Sequence, residues 1–116
     1  MRVYVATTPQ KIKELLSKSV SFDEYLTPQQ FEFDVQVGEE EQEHLISQLA
    51  ADEAIALNGG KTGYVLAVDL NDDQLGQDVF SVDFAQIASI LQSVDGEELN
   101  WFSAEEVEHY IDGWLI

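Results

Sequence analysis

The order of apolar and polar positions divides the chain into alternating strand-like and helix-like runs. Residues 2–6, "RVYVA", are β-branched and aromatic and alternate poorly, which predicts an interior strand. "TTPQKIKELLSK" follows with Thr8 placed to cap, Pro9 at the first helical position, and Ile12, Leu15 and Leu16 at helical spacing. "SVSFDEYLTPQQ" reads as a connection, with a turn starting at Thr27-Pro28 that Gln30 can close as a capping box. "FEFDVQV" alternates Phe31, Phe33, Val35 and Val37 with Glu32, Asp34 and Gln36, the clearest strand signal in the chain.

From Glu39 to Leu57, apolar Leu45, Ile46, Leu49, Ala50, Ala56 and Leu57 repeat with helical period and predict the longest helix, its buried face on those six residues. Acids crowd its first turn, where the helix dipole favours them, and "NGG" at 58–60 stops it. "GYVLAVDL", residues 63–70, is nearly continuous in apolar side chains and predicts a central strand; "NDDQLGQD" is a polar turn and "VFSV" another short strand. Residues 84–94 fit two patterns, a helix behind an Asp83 cap on Phe84, Ile87, Ala88 and Leu91, or a strand over "SILQSV"; a short turn of helix leading into a strand reconciles them. "LNWFS" is a strand candidate. "SAEEVEHYIDGWLI" opens with a Ser103-x-x-Glu106 capping box and carries Val107, Tyr110, Ile111 and Trp114 at i, i+3, i+4 and i+7, an amphipathic helix packed on the sheet. The sum is one α+β domain over residues 1–116, with a mixed sheet of about four to six strands and about three helices.

Composition sharpens this picture. At 116 residues and 45 % hydrophobic, the chain builds a core without metal or disulfide, and the absence of cysteine excludes zinc-thiolate, iron–sulfur and thiol chemistry. No apolar leader and no bilayer-length apolar run occurs, which predicts a soluble cytoplasmic protein that does not enter membranes. The net charge is −18 and uneven: the first eighteen residues hold four bases and one acid, whereas residues 19–116 hold 22 acids and Lys61 alone. Such a field repels nucleic-acid phosphates, argues against direct nucleic-acid binding, and steers the molecule toward basic partners.

"MRVYVA" at the start, "GYVLAVDL" in the middle and "LNWFSAEEV" near the end, taken together, resemble a small family of acidic actinobacterial proteins, a domain of unknown function. Members of that family open on a Met-Arg-Val-Tyr-Val strand and carry a Trp-Phe or Trp-Tyr pair before a late acidic helix. They usually continue Pro-Ala-Thr after the first strand, where this chain has Ala6-Thr7-Thr8. The resemblance runs in order from end to end and implies a single acidic cytoplasmic domain of bacterial type; with no activity attached to the family, it carries over no functional residue.

Candidate chemistry centres on "EEQEH" (40–44) and "EEVEH" (105–109), which hold the only two histidines, His44 and His109. Residues three or four apart on a helix can point at one centre, so Glu40, His44, Glu105 and His109 are the metal-ligand candidates. Stepping 100° per residue places both histidines away from the predicted apolar stripes, on solvent faces, and a di-iron centre requires two further carboxylate-bearing helices. No Gly-x-Ser-x-Gly elbow exists. "NGGKTG" at 58–63 looks like a phosphate loop but lies between a helix and a strand, the reverse of the required order. Asp72-Asp73 and Glu97-Glu98 sit in turns, and "NDD" lacks the length of a calcium loop.

Trp101, Phe102 and Trp114 are the interface candidates, since exposed aromatics with an acidic rim make good protein contacts. The sequence therefore predicts a non-enzymatic interaction module without cofactor, which binds a protein with a basic surface or forms a homodimer. A small metal-binding protein or enzyme and a nucleic-acid mimic are the alternatives.

Overall fold

The computed structural model describes residues 1–34, 36–60, 62–94 and 98–115. In chain order it comprises β1 (Arg2–Thr7), α1 (Pro9–Leu15), β2 (Val20–Phe22), α2 (Glu39–Leu57), β3 (Gly63–Asp69), α3 (Asp72–Leu75), β4 (Phe80–Val82), β5 (Ile87–Val94), β6 (Glu98–Ser103) and α4 (Val107–Trp114). Short 3-10 turns occupy Pro28–Gln30, Phe84–Gln86 and Ala104–Glu106. The chain is thus α+β. Its six strands divide into a four-stranded sheet, ordered β1-β3-β5-β6, and a two-stranded sheet, β2-β4, and every pairing among the described residues is antiparallel rather than mixed in direction.

Strand alternation assigns the core to two faces of the larger sheet. Val3, Val5, Leu66, Val68, Ile87 and Ile90 point to one face, where Ile12 and Leu15 of α1, Val107 and Ile111 of α4, and Phe22, Phe80 and Val82 of the small sheet close over them. Tyr4, Val65, Ala67 and Leu91 point to the other, where α2 lies with Ile46, Ala50, Ala51 and Ala54. β3 is central, as its unbroken apolar run predicts, and is buried on both faces from Gly63 to Val68.

β1 is an edge strand rather than an interior one. Both its faces are covered, which explains the poor alternation, but its outer edge meets only a two-bond bridge, in which Tyr4 N donates to Leu26 O and Leu26 N to Tyr4 O, both at 2.8 Å. "FEFDVQV" forms no strand in its described residues. The Phe31 and Phe33 rings lie tilted with centroids 6.3 Å apart, Phe33 packs against the core beneath α2's cluster of Ile46, Ala50, Ala51 and Ala54, and Gln36 N and Val37 N donate back to Asp34. Alternation marks a segment with one wet face, but a strand also needs a free edge, and Leu26 already takes the one that β1 offers. Val35 lies outside the described residues. The reading of 19–30 as plain connection missed β2, and the polar turn at 71–78 contains the single-turn α3.

The long helix forms where expected but buries a different face. Leu45, Leu49, Ala56 and Leu57 are exposed, while Ile46, Ser47, Ala50, Ala51 and Ala54 face the sheet. The reason is the closeness of the seat. A Cβ placed on Gly63 would lie 2.7 Å from Ile55 N and 3.0 Å from Ala51 O, so α2 and β3 touch backbone to backbone and only small side chains fit between them. Gly59 and Gly60, at φ 71° and 83°, then end the helix, with Gly60 N donating to Ile55 O.

One device recurs at the corners. The backbone N–H of Thr27, Asn71, Asp83 and Ser103 donates to the side chain three residues on, namely Gln30, Gln74, Gln86 and Glu106, at 2.9 to 3.2 Å. The Gln74 and Gln86 amides also bond each other, and they reach the Ser81 and Asp69 carbonyls.

Two predictions follow from the packing. Gly63→Ala lowers stability by about 2 kcal/mol or more, because rigid backbone surrounds the added methyl, whereas Gly76→Ala, which meets open space, changes it by less than about 0.5 kcal/mol. Urea midpoints of the two variants check the contrast. Thr7 is fully buried and its Oγ1 bonds to none of the described residues, so the isosteric Thr7→Val raises stability by up to about 1 kcal/mol; a lower thermal midpoint contradicts this.

Candidate functional site

The expected site residues fall on opposite sides of the sheet. Glu40 and His44 stand on α2, over the face formed by Tyr4, Val65, Ala67 and Leu91. Glu105 and His109 belong to the turn and helix that pack against the other face. The sheet separates the two Glu-x-x-His segments, both histidines are exposed, and among the described residues no three His, Cys, Asp or Glu side chains group so as to hold a metal ion.

The three aromatic candidates separate in the same way. Register places Phe102 beside Ile90 and Trp101 beside Leu91, so the two neighbours point to opposite faces. Phe102 and Trp114 enter an aromatic cluster with Tyr64 and Tyr110: Tyr64–Trp114 centroids are 5.0 Å apart, Phe102–Tyr110 5.0 Å and Phe102–Trp114 5.1 Å, the last edge-on. Ring quadrupoles favour such tilted contacts, and the cluster anchors α4 to β5 and β6. Trp101, in contrast, is 60 % exposed, because α2 crosses β1 and β3 and leaves this part of β6 uncovered.

What α2 leaves open is a recess of ≈ 210 Å³ lined by Tyr4, Glu40, Glu43, His44, Ser47 and Trp101. Each wall has a local cause. The acids sit in the first turns of α2, where the N-terminal dipole stabilises negative charge. Ser47 is buried, but its hydroxyl is satisfied by the His44 carbonyl at 2.8 Å. Tyr4 reaches the recess from below the helix and, as a residue, is 3 % exposed. Burial pushes the Tyr4 phenol above its ordinary value of 10.0, and the Glu43 carboxylate pushes it the same way. Burial also raises Tyr64, partly offset by the hydrogen bond from Gln92.

Sequence reasoning named Glu40, His44 and Trp101 without joining them, and it missed Tyr4, Glu43 and Ser47. Tyr4 carried one usable signal, its parity with Arg2 and Ala6 on β1, but only the pairing with Ala67 and the seat of α2 give that parity a meaning.

On the same helix, Leu45 and Leu49 are 47 % and 44 % exposed, one turn apart and flanked by Glu41, Asp52 and Glu53. The early bases do not offset this acidity freely. Arg2 is paired with Asp69 at 3.1 Å, Lys13 with Asp112 at 3.2 Å, and Lys11 lies over the Phe22 ring at 5.2 Å. No helix among the described residues is long and apolar enough to cross a membrane. No protein-family model, no curated protein and no solved structure matches the chain.

The two raised phenols set an alkaline limit. Because folding holds Tyr4 and Tyr64 neutral above their unfolded values, their contribution is complete below pH 10.0 and is lost as pH rises through the folded values. Unfolding free energy measured against pH therefore declines beyond that point, and Tyr4→Phe makes the decline shallower; an unchanged slope contradicts burial of this phenol.

Proposed function

We propose that the domain is a non-enzymatic interaction module that receives a basic amphipathic segment of a protein partner on the outer face of α2. The observation that carries this reading is the pair Leu45 and Leu49, exposed within a rim of carboxylates rather than used in the core. Large apolar side chains left this exposed on a helix that already has a buried face form an apolar strip, and such a strip with a charged rim has the composition of a contact surface. The rim selects the sign of the partner. Acids outnumber bases 22 to one over residues 19–116, so the field attracts cationic segments and repels a second copy of the same chain.

The two histidines do not meet, and the residues that line the α2 recess include no nucleophile paired with a base, since the Ser47 hydroxyl is spent on its own helix.

The test is calorimetric titration with a helical peptide that carries leucines at i, i+3, i+4 and i+7 and lysines elsewhere. Binding weakens as salt is raised, and the double variant Leu45→Ser/Leu49→Ser weakens it about tenfold at constant charge. A scrambled peptide of the same composition that binds equally well reduces the effect to unspecific charge attraction and overturns the reading. A concentration-dependent dimer in light scattering, abolished by the same double variant, assigns the leucines to self-association instead.

A further inference from the structure

The outer edge of β6 is open, and the direction of its backbone groups identifies what it can take. Met1 and Leu70 exchange both backbone hydrogen bonds, at 2.8 and 2.9 Å, which fixes the parity of the antiparallel ladder. Val3 and Val5 therefore turn their backbone groups to β3, and Tyr4 turns its own outward, in agreement with its bonds to Leu26. Carried through the registers of β3, β5 and β6, the same alternation directs Asn100 and Phe102 to β5 and leaves the N–H and C=O groups of Leu99, Trp101 and Ser103 on the outer edge. Ser103 agrees, because its N–H donates to the Glu106 carboxylate at 3.1 Å. The outward groups of Leu99 and Trp101 bond to none of the described residues. We infer that this edge accepts an extended basic segment of a protein partner as an added strand, a contact separate from the leucine strip of α2.

Free sheet edges are normally guarded by proline, lysine, a bulge or a covering segment. No proline or lysine occurs from Glu98 to Ser103, the register with β5 is regular, and α2 lies over β1 and β3 instead. The opposite edge, β1, is blocked at its middle by Leu26. Residues of an added strand that pair with Leu99 and Trp101 share their face of the sheet, where Leu99 is half-buried and Trp101 is 60 % exposed. Those two positions call for apolar side chains.

Charge selects the rest of the occupant. Asp95, Glu97 and Glu98 open the edge in the sequence, Glu105, Glu106 and Glu108 follow it, and no lysine or arginine occurs after Lys61. Cationic residues outside the apolar pair complement both ends. A second copy does not fit in this way. Paired antiparallel, it brings the Glu98 end of each β6 toward the Glu105–Glu106 end of the other, like charge against like. In strand addition the backbone supplies the affinity and alternate side chains the choice of sequence, so the fitting pattern is basic, apolar, any residue, apolar, basic.

The probe is the capped peptide acetyl-Lys-Lys-Val-Thr-Val-Lys-Lys-amide, followed by hydrogen exchange. At saturation it slows exchange of the Leu99 and Trp101 amides about tenfold or more and leaves the amides of α2 unchanged. N-methylation of both valines removes the donors that face β6 and weakens binding about tenfold, whereas N-methylation of the threonine, whose N–H points away, does not. These peptide arms leave the fold of the protein untouched. Leu99→Pro deletes an outward N–H that β5 does not use and matches the effect of valine methylation, while Leu45→Ser/Leu49→Ser changes nothing. Equal binding of the parent and valine-methylated peptides reduces the effect to charge attraction and overturns the added strand, as does protection confined to α2. Air oxidation of Asn100→Cys, the sole thiol of that variant, tests for a second copy, since pairing about a two-fold axis sets this position against itself at about 4.5 Å between Cα atoms, within disulfide reach. Disulfide dimers that form faster than those of Asp73→Cys, exposed in α3, give the edge to a second copy and overturn the basic occupant; equal rates support it.

Discussion

The backbone contact between α2 and β3 governs the arrangement of everything on that side of the sheet. With Gly63 against Ile55 and Ala51, the helix faces this part of the strands with Ala50, Ala51 and Ala54, Ile46 joins them nearer its N-terminus, and Leu45, Leu49 and Leu57 turn elsewhere. Close packing of this kind admits no intermediate position, because a leucine directed inward would lift the helix off the sheet along its length. The exposed Leu45 and Leu49 follow from this steric rule, and so does the confinement of Tyr4 beneath the N-terminal half of the helix.

The two faces of the sheet are consequently used in different ways. One is sealed by α1, α4 and the β2-β4 pair, with Tyr64, Phe102, Tyr110 and Trp114 interlocked at its end. The other is covered by a single helix that spans β1 and β3, so β6 contributes an indole to solvent. Acidity lies over both faces, and where that single helix stops short Glu40 and Glu43 stand beside the exposed Trp101.

Much of the fold is legible in the sequence because it is local. Pro9 after Thr8, the Gly59-Gly60 stop, the unbroken apolar run of β3 and the Ser103-x-x-Glu106 corner each specify their structure within a few residues. Residues 84–94 fitted both a helix and a strand, and the structure resolves them into a 3-10 turn followed by β5. What failed depended on partners distant in sequence. The alternation at 31–37 promised a strand, but Leu26 already occupies the edge that β1 offers, and the leucines of α2 satisfied the helical period on the face away from the sheet. A period of 3.6 identifies a helix, but when two faces are apolar it does not say which is buried. The site was the least legible part, because its six lining residues come from β1, α2 and β6 and meet only through register and packing.

The capped corners carry a consequence for how the molecule responds to its surroundings. A chain this rich in carboxylates changes its surface greatly when acid or salt cancels the charge, and caps that relied on glutamate would change with it. Three of the four side chains that close the turns are glutamines, and two of them are tied to each other. An amide has no proton to gain in that range and no counterion to attract. Three of these four corners are therefore electrically silent, and only the Ser103–Glu106 corner carries a carboxylate: most of the outer charge can be neutralised by a partner while the framework that presents it keeps its shape.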